Sequence, residues 1–218
     1  MLQLDIFYEI QERLKKDKSV TGIMLMGSVA QNTALPESDL DIMVLSNENL
    51  FKTEIIDNIL VEYTFTTYEN RLQKLLSNEM EVYRFLNSKI TYDIANKLAE
   101  LKNIAVDKYS NFKASQETKN QISHWLLSVK IKLLATINSH DILKQNFLVA
   151  TNSWKIIEAV WAVNNKPVPP TSSVMKFKNE LSAFPYPDWF EKLFYGSEKS
   201  RTEAMIEIID WILPILDI

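Results

Sequence analysis

The chain has 218 residues, of which 46% are hydrophobic and 24% are charged, a size and composition typical of one large or two small globular domains. It contains no cysteine and only two histidines, which excludes disulfides, thiolate metal sites and cysteine nucleophiles and disfavours a zinc enzyme built on several histidines. The net charge of −4 resides in residues 1–115, since residues 116–218 are neutral overall, so neither part has the basic excess expected of a protein that holds a long nucleic acid.

The first half of the chain mixes helix and strand patterns. Ile6, Ile10 and Leu14 recur at helical spacing, which predicts an amphipathic helix over residues 5–14. The other predicted elements follow in order: a buried strand over 20–26, a strand over 39–45, a loop at 46–49, a strand over 59–66, a helix over 68–86, a strand over 89–92 and a helix over 94–109.

Helical periodicity replaces the strand patterns after the polar segment at residues 110–118. Three apolar stripes at helical spacing predict three helices. The residues of the stripes are, in order, Ile122, Leu126, Val129, Leu133 and Ile137; Ala150, Trp154, Ile157 and Trp161; and Met205, Ile209, Ile212 and Leu216. We expect Pro214 to kink or end the third helix. The sequence therefore predicts an α+β domain over residues 1–115, with a mixed sheet flanked by helices, followed by an all-α domain over residues 116–218.

A strand, a Gly-Ser pair, a short helix and a strand that opens with Asp-Leu-Asp follow one another between residues 24 and 44. Asp39 and Asp41 are two residues apart on the predicted strand, so they point to the same face and can hold the same metal ions. Mg²⁺ prefers such oxygen ligands. Gly27 allows the backbone to approach a phosphate group closely, and Ser28 with the first amides of the helix supplies hydrogen-bond donors.

These residues resemble the nucleotidyltransferase superfamily that includes DNA polymerase beta, in its short bacterial form. Members share the Gly-Ser unit, the Asp-x-Asp strand and a third acidic residue on a neighbouring strand. Glu62 is the candidate for that third position because it is the only carboxylate in its strand, although a single acid there is also compatible with a solvent-facing side chain. Many relatives have glycine where this chain has Asn32, and asparagine tolerates left-handed backbone better than most residues.

A second resemblance is to aminoglycoside-type nucleotidyltransferases. The stretch Ile90-Thr91-Tyr92-Asp93 and the helix after it look like their closing strand and helix, and the segment from Trp161 to Pro170 is similar to part of their acceptor-binding domain.

The resemblance implies a Mg²⁺-dependent transfer of a nucleoside monophosphate from a nucleoside triphosphate, with ATP favoured, to a hydroxyl of a small acceptor, with release of pyrophosphate. An aminoglycoside or lincosamide antibiotic is the implied acceptor class, and the helical domain would select it. The implied roles are catalysis and metal binding for Asp39, Asp41 and Glu62, and nucleotide binding for Gly27, Ser28 and Ser38. Glu62 would either complete the metal site or take the acceptor proton.

Several alternatives stay open at this point. The acceptor could be a hydroxyl of a protein, or the chain could be a binding module, since small domains of this type also serve as antitoxins and a degenerate member could sense nucleotide. The helical toxins that pair with such antitoxins usually carry an arginine followed a few residues later by a histidine. In this chain Lys130 and Lys132, rather than an arginine, precede His140, so an active toxin half is disfavoured. The resemblance is compatible with a homodimer. We expect a cytoplasmic protein without a membrane partner, since no apolar run is long enough to span a bilayer and residues 1–5 lack the basic start of a secretory signal.

Overall fold

The computed structural model describes residues 2–216. The chain divides into two units, Met1–Asn111 and Phe112–Ile218. The predicted division at residues 115 and 116 lies close to this boundary, and the folding of the two units as separate domains stays a prediction.

The first unit contains a sheet and the helices that flank it. Its elements in chain order are α1 Leu2–Leu14, β1 Gly22–Leu25, α2 Gly27–Gln31, β2 Leu40–Leu45, β3 Leu50–Ile56, β4 Ile59–Thr66, α3 Tyr68–Ser77, a 3-10 helix Glu79–Glu81, α4 Val82–Leu86, β5 Lys89–Asp93 and α5 Lys97–Ser110.

The five strands form one mixed sheet with the order β3-β4-β2-β1-β5. Strands β2 and β4 are parallel, and the other neighbouring pairs are antiparallel. The parallel register sets Asp41 of β2 beside Glu62 of β4. The predicted mixed sheet is therefore confirmed, and the parallel pair β2 and β4 carries Asp41 and Glu62, two of the acidic residues singled out in the sequence.

One face of the sheet is apolar. Alternation along β2 turns Leu40, Ile42 and Val44 to this face, where all three are fully buried. Helix α1 covers the face with Ile6, Phe7 and Ile10, and the α2 residues Val29 and Ala30 join the same cluster. The predicted stripe of α1 is thus the one that packs on the sheet, with Leu14 only partly buried at its end.

The opposite face is covered by the later helices of the unit. A Cβ atom on Gly22 would lie 2.8 Å from Cδ1 of Leu98, which shows that α5 rests directly on β1. Helices α3 and α4 pack against α5 in turn. Asp41 and Glu62 point to this second face, because Asp41 alternates in phase with Leu45, the residue paired with Gly22.

The sequence analysis missed strand β3, which begins directly after the predicted loop at 46–49. Leu50, Phe51 and Ile55 are exposed on this edge strand, so its apolar residues do not alternate between core and solvent. The signal that could have found it is the Asp57-Asn58 pair. Both residues have positive φ, +49° and +65°, and join β3 to β4 in a tight hairpin.

Two predicted helices begin or break differently in the structure. The helix expected over 68–86 is interrupted at Asn78, whose backbone is extended and whose side chain accepts a hydrogen bond from the amide of Met80 at 3.0 Å. The helix expected over 94–109 begins at Lys97, because Asn96 adopts a left-handed conformation with φ of +56° and Asp93 accepts a hydrogen bond from the amide of Ala99.

The second unit is helical over its described residues, as predicted. Its elements are α6 Gln116–Asn138, α7 Ile142–Val163, α8 Thr171–Phe177, a 3-10 helix Lys178–Glu180, α9 Trp189–Tyr195 and α10 Glu198–Leu216. Helices α6, α7 and α10 pack together, and α9 packs on α10. Over residues 2–216, no helix is both long enough and apolar enough to cross a membrane.

The predicted stripes of these helices are only partly buried. Leu126, Val129 and Leu133 of α6 are in the core, whereas Ile137 is 37% exposed and Ala150 of α7 is also exposed. Pro214 does not end α10, which continues to Leu216. The last residue of the predicted α6 stripe and the first residue of the predicted α7 stripe are therefore exposed to solvent.

Candidate active site

Gly27 stands at the junction between β1 and α2, and its backbone explains why glycine is needed there. Its φ is +65°, a left-handed value that other residues rarely adopt. A Cβ atom at this position would lie 2.1 Å from Oδ2 of Asp41. The absence of a side chain therefore allows the chain to turn directly against the Asp41 carboxylate, where the amide of Met26 also donates to the backbone oxygen of Asp41 at 2.9 Å.

Ser28, the second residue of α2, carries a buried hydroxyl with no hydrogen-bond partner among residues 2–216. Buried polar atoms normally have a partner, so this oxygen is a candidate for contact with a ligand. Helix α2 ends at Gln31, and Asn32 caps it with a φ of +59°, a left-handed conformation that asparagine tolerates better than most residues. The turn places Asn32 within 3.2 Å of Nζ of Lys89 on β5.

Three carboxylates converge beside this turn. Oxygen atoms of Asp39, Asp41 and Glu62 all lie within 4.8 Å of one another. Asp39 is exposed, and the other two are half-buried. The expectation that Asp39 lies on the strand is wrong, because β2 begins one residue later at Leu40. Its side chain nevertheless joins that of Asp41, as the spacing of two residues predicts.

The electrostatics of the cluster favour a cation. Burial, together with the neighbouring charges of Asp39 and Glu62, raises the pKa of Asp41 to about 6, while Arg84 opposes the shift. Ionised Asp41 is therefore disfavoured when nothing positive is bound. A divalent cation would reverse this balance, and the all-oxygen donor set fits Mg²⁺.

The segment before Asp39 is fixed by contacts that the sequence did not reveal. Nε2 of the buried Gln3 on α1 lies 2.9 Å from the carbonyl oxygen of Leu35, 3.0 Å from that of Pro36 and 3.4 Å from that of Ser38. The hydroxyl oxygen of Ser38 accepts a hydrogen bond from the amide of Leu35 at 2.8 Å. Ser38 thus takes part in the turn that leads into the acidic cluster, and its contact with nucleotide stays a prediction.

A second group of charged residues lies on the helices above the same face. Glu81 bridges two arginines, with Oε2 at 2.8 Å from Nη1 of Arg71 and Oε1 at 3.3 Å from Nε of Arg84. The Arg71 side chain is 3% exposed, whereas that of Arg84 is 48% exposed. Sequence reasoning missed this group because the residues form part of an apparently continuous helical pattern without a motif.

The comparisons with known proteins agree with this architecture. A family model described as nucleotidyltransferase domain matches residues 8–132, more than half of the chain. The chain is also similar to a crystal structure of a nucleotidyltransferase-like protein from Exiguobacterium sibiricum 255-15, with 12% sequence identity and a TM-score of 0.50. That match covers 98% of this chain and 75% of the other, and it shows the fold alone. A comparison with curated proteins found no match.

The matched residues include the whole sheet, the Gly27–Asp41 turn and the three carboxylates, together with the first part of α6. The fold and the family match thus agree with the resemblance over residues 24–44, while the aminoglycoside and lincosamide type has no support of its own from these comparisons. This chain belongs to the nucleotidyltransferase domain family.

Proposed function

We propose that this protein transfers a nucleoside monophosphate from a nucleoside triphosphate, with ATP favoured, to a hydroxyl of a small acceptor. The observation that carries the proposal is the convergence of Asp39, Asp41 and Glu62 within 4.8 Å, directly against the turn at Gly27. An acidic cluster alone is common on protein surfaces, but this one lies beside a glycine with left-handed backbone and a serine hydroxyl without a partner.

Asp39 and Asp41 would hold Mg²⁺, and Glu62 would either complete the metal site or take the acceptor proton. When bound, the metal would supply Lewis acidity for the attacking and leaving oxygens of a phosphoryl displacement. The repulsion among two half-buried carboxylates and a third beside them supports a cation at this site, since a bound cation would relieve that repulsion.

The nucleotide would bind at the turn. Gly27 holds the backbone of the turn against the Asp41 carboxylate, and the Ser28 hydroxyl would donate a hydrogen bond to a phosphate oxygen beside it. We assign Ser38 to the same subsite on the basis of the family resemblance. In the reaction, the acceptor oxygen forms a bond to the α-phosphorus and the bond from that phosphorus to the bridging oxygen breaks. Pyrophosphate leaves with the electron pair of that bond, and the acceptor proton passes to Glu62 or to solvent.

The acceptor is proposed to be small, with an aminoglycoside or lincosamide antibiotic as the first class to test. The charge distribution supports a small acceptor, because residues 116–218 carry no net charge and the first half of the chain is acidic. A long nucleic acid would require a basic surface that this composition does not provide.

The experiment is a measurement of pyrophosphate release from ATP, GTP, CTP and UTP with Mg²⁺, against a panel of aminoglycosides and lincosamides. We expect release that requires one acceptor and is lost in the double variant Asp39→Asn with Asp41→Asn. The matched control is Glu37→Gln, which removes an exposed carboxylate two residues before Asp39 and should retain the activity.

If no compound of the panel causes pyrophosphate release while Mg²⁺-dependent nucleotide binding is intact, the assignment of a small acceptor would be overturned. That result would move the assignment to a protein hydroxyl or to a nucleotide-binding module that pairs with a protein. Absence of nucleotide binding would overturn the transfer function as a whole.

A further inference from the structure

We propose that Arg84 binds the triphosphate of the incoming nucleotide and stays with pyrophosphate as it leaves. This inference rests on the proposed function and deepens it, because it assigns the recognition of the β- and γ-phosphates to a residue outside the Gly27–Asp41 motif.

The placement of α4 is the first argument. Its C-terminal end continues through residues 87 and 88 into β5, where Lys89 is paired with Leu25. Leu25 is two residues before Gly27, so α4 ends at the edge of the sheet where the turn lies. Helices α3 to α5 cover the face to which Asp41 and Glu62 point. Arg84 therefore lies on a helix that ends close to the turn at Gly27, on the same side of the sheet as the acidic cluster.

The second argument is that one ion pair positions the guanidinium of Arg84 through only one of its three nitrogen atoms. Glu81 engages Arg84 through Nε, at 3.3 Å, which leaves the two terminal amino groups of the fork for another acceptor. Glu81 is itself fixed by Arg71, which is buried and lies 2.8 Å away. Nearly half of the Arg84 side chain is exposed. A planar fork with free donors on an anchored stem is suited to bidentate contact with phosphate.

The third argument is charge. The triphosphate is strongly anionic and would enter a site that already contains three carboxylates. Metal ions bound to the carboxylates would offset part of this charge. Arg84 carries a positive charge that acts on Asp41 and opposes the effect of the neighbouring carboxylates. Its contact would therefore oppose the repulsion between the triphosphate and the cluster and would stabilise the charge that builds on the leaving pyrophosphate.

The test compares binding of nucleotides with and without the outer phosphates. Non-hydrolysable α,β-methylene analogues of ATP, GTP, CTP and UTP, and the matching nucleoside monophosphates, are titrated with Mg²⁺ into the wild-type protein and into Arg84→Gln by calorimetry. We expect Arg84→Gln to bind the triphosphate analogue about tenfold to a hundredfold more weakly, and to bind the monophosphate as the wild type does. Arg84→Lys, which keeps the charge but loses the fork, should fall between them.

Lys74→Gln is the matched control, since it removes an exposed cation from the neighbouring helix α3 and should leave both affinities unchanged. Melting temperatures of all variants check that the fold is retained. Equal triphosphate binding by wild type and Arg84→Gln, or an equal loss for triphosphate and monophosphate, would overturn the assignment of Arg84 and leave the proposed function in place. A wild-type protein that binds none of the four analogues would instead contradict the proposed function.

Discussion

Both faces of the sheet bury apolar side chains, but the face under α3 to α5 also carries the acidic cluster. On β2 and β4, Leu40, Ile42 and Val61 are buried in the apolar core under α1. Asp41 and Glu62, which alternate with them, bring their carboxylates together on the other face. On β2, Asp41 shares its face with the buried Met43 and Leu45, so the charged cluster lies at one end of a second apolar layer.

The comparison teaches that apolar burial on both faces stabilises the fold while the acidic cluster opposes it. Burial of the apolar side chains contributes favourable free energy. On the acidic face, burial and like charges raise the pKa of Asp41, which means that its ionised form costs free energy in the folded state. The cost is tolerated because the sheet and its helices supply the rest of the stability, as is common at functional sites.

The largest expected effect comes from neutralising the centre of the acidic face. Asp41→Asn should lower the proposed Mg²⁺-dependent transfer by about a thousandfold, or about 4 kcal/mol, because it removes a proposed metal ligand. The same change should raise the free energy of unfolding of the metal-free protein at pH 8 by about 1 kcal/mol, since solvent reduces the full effect of a half-buried charge. Steady-state kinetics and urea denaturation measure the two quantities, and a less stable variant would contradict the electrostatic account.

The opposite outcome is expected one residue away, on the core face. Ile42→Ala should lower the free energy of unfolding by about 3 kcal/mol, because it leaves a cavity in a fully buried position. Mg²⁺ binding below the melting temperature should be retained, since Ile42 points away from the carboxylates. Urea denaturation combined with Mg²⁺ titration checks both statements. If Ile42→Ala lost metal affinity without losing stability, the separation of the two faces would be wrong.

Local pattern was sufficient to predict the parts of this site that lie close together in sequence. Gly27, Asp39 and Asp41 form one short motif, and Glu62 stood out as the only acid in a strand of regular alternation. Their convergence depends on the parallel pairing of β2 with β4, which the sequence pattern did not specify but the structure shows.

Contacts distant in sequence or hidden in regular patterns were not predicted. The ion pair of Arg71 with Glu81 forms because the helical pattern breaks at Asn78, and such a break depends on a side-chain cap rather than on periodicity. Strand β3 was not predicted because this edge strand exposes apolar residues on both faces and so lacks the alternation of apolar and polar residues that marks a strand. Gln3 reads as a polar residue of an amphipathic helix, and only the folded chain brings it to the turn at residues 35–38.

A smaller effect is expected from pH. Since the pKa of Asp41 is about 6, protons compete with Mg²⁺ below this value, and affinity should fall by up to about tenfold per pH unit there. The stability of the metal-free protein should depend on pH in the opposite direction. The folded-state pKa is above the unfolded value, so this group's contribution to stability is greatest below about pH 4 and is lost as pH rises through 6. Mg²⁺ titrations and urea denaturation between pH 4 and 8 measure both trends, and Asp41→Asn should lack the second.

The smallest expected effect concerns Gln3, a polar side chain of α1 that contacts the turn before Asp39. Gln3→Met removes a buried amide that donates to the carbonyl oxygens of residues 35 and 36, so the turn that carries Asp39 should become less ordered. We expect Mg²⁺ affinity to fall by about fivefold, or about 1 kcal/mol, as measured by calorimetry. Gln11→Met is the matched control, because Gln11 is also a buried glutamine of α1 but its Oε1 has no partner in residues 2–216. Equal losses in the two variants would mean that Gln3 acts through the packing of α1 alone, whereas a loss confined to Gln3→Met would show that the apolar face positions the acidic one.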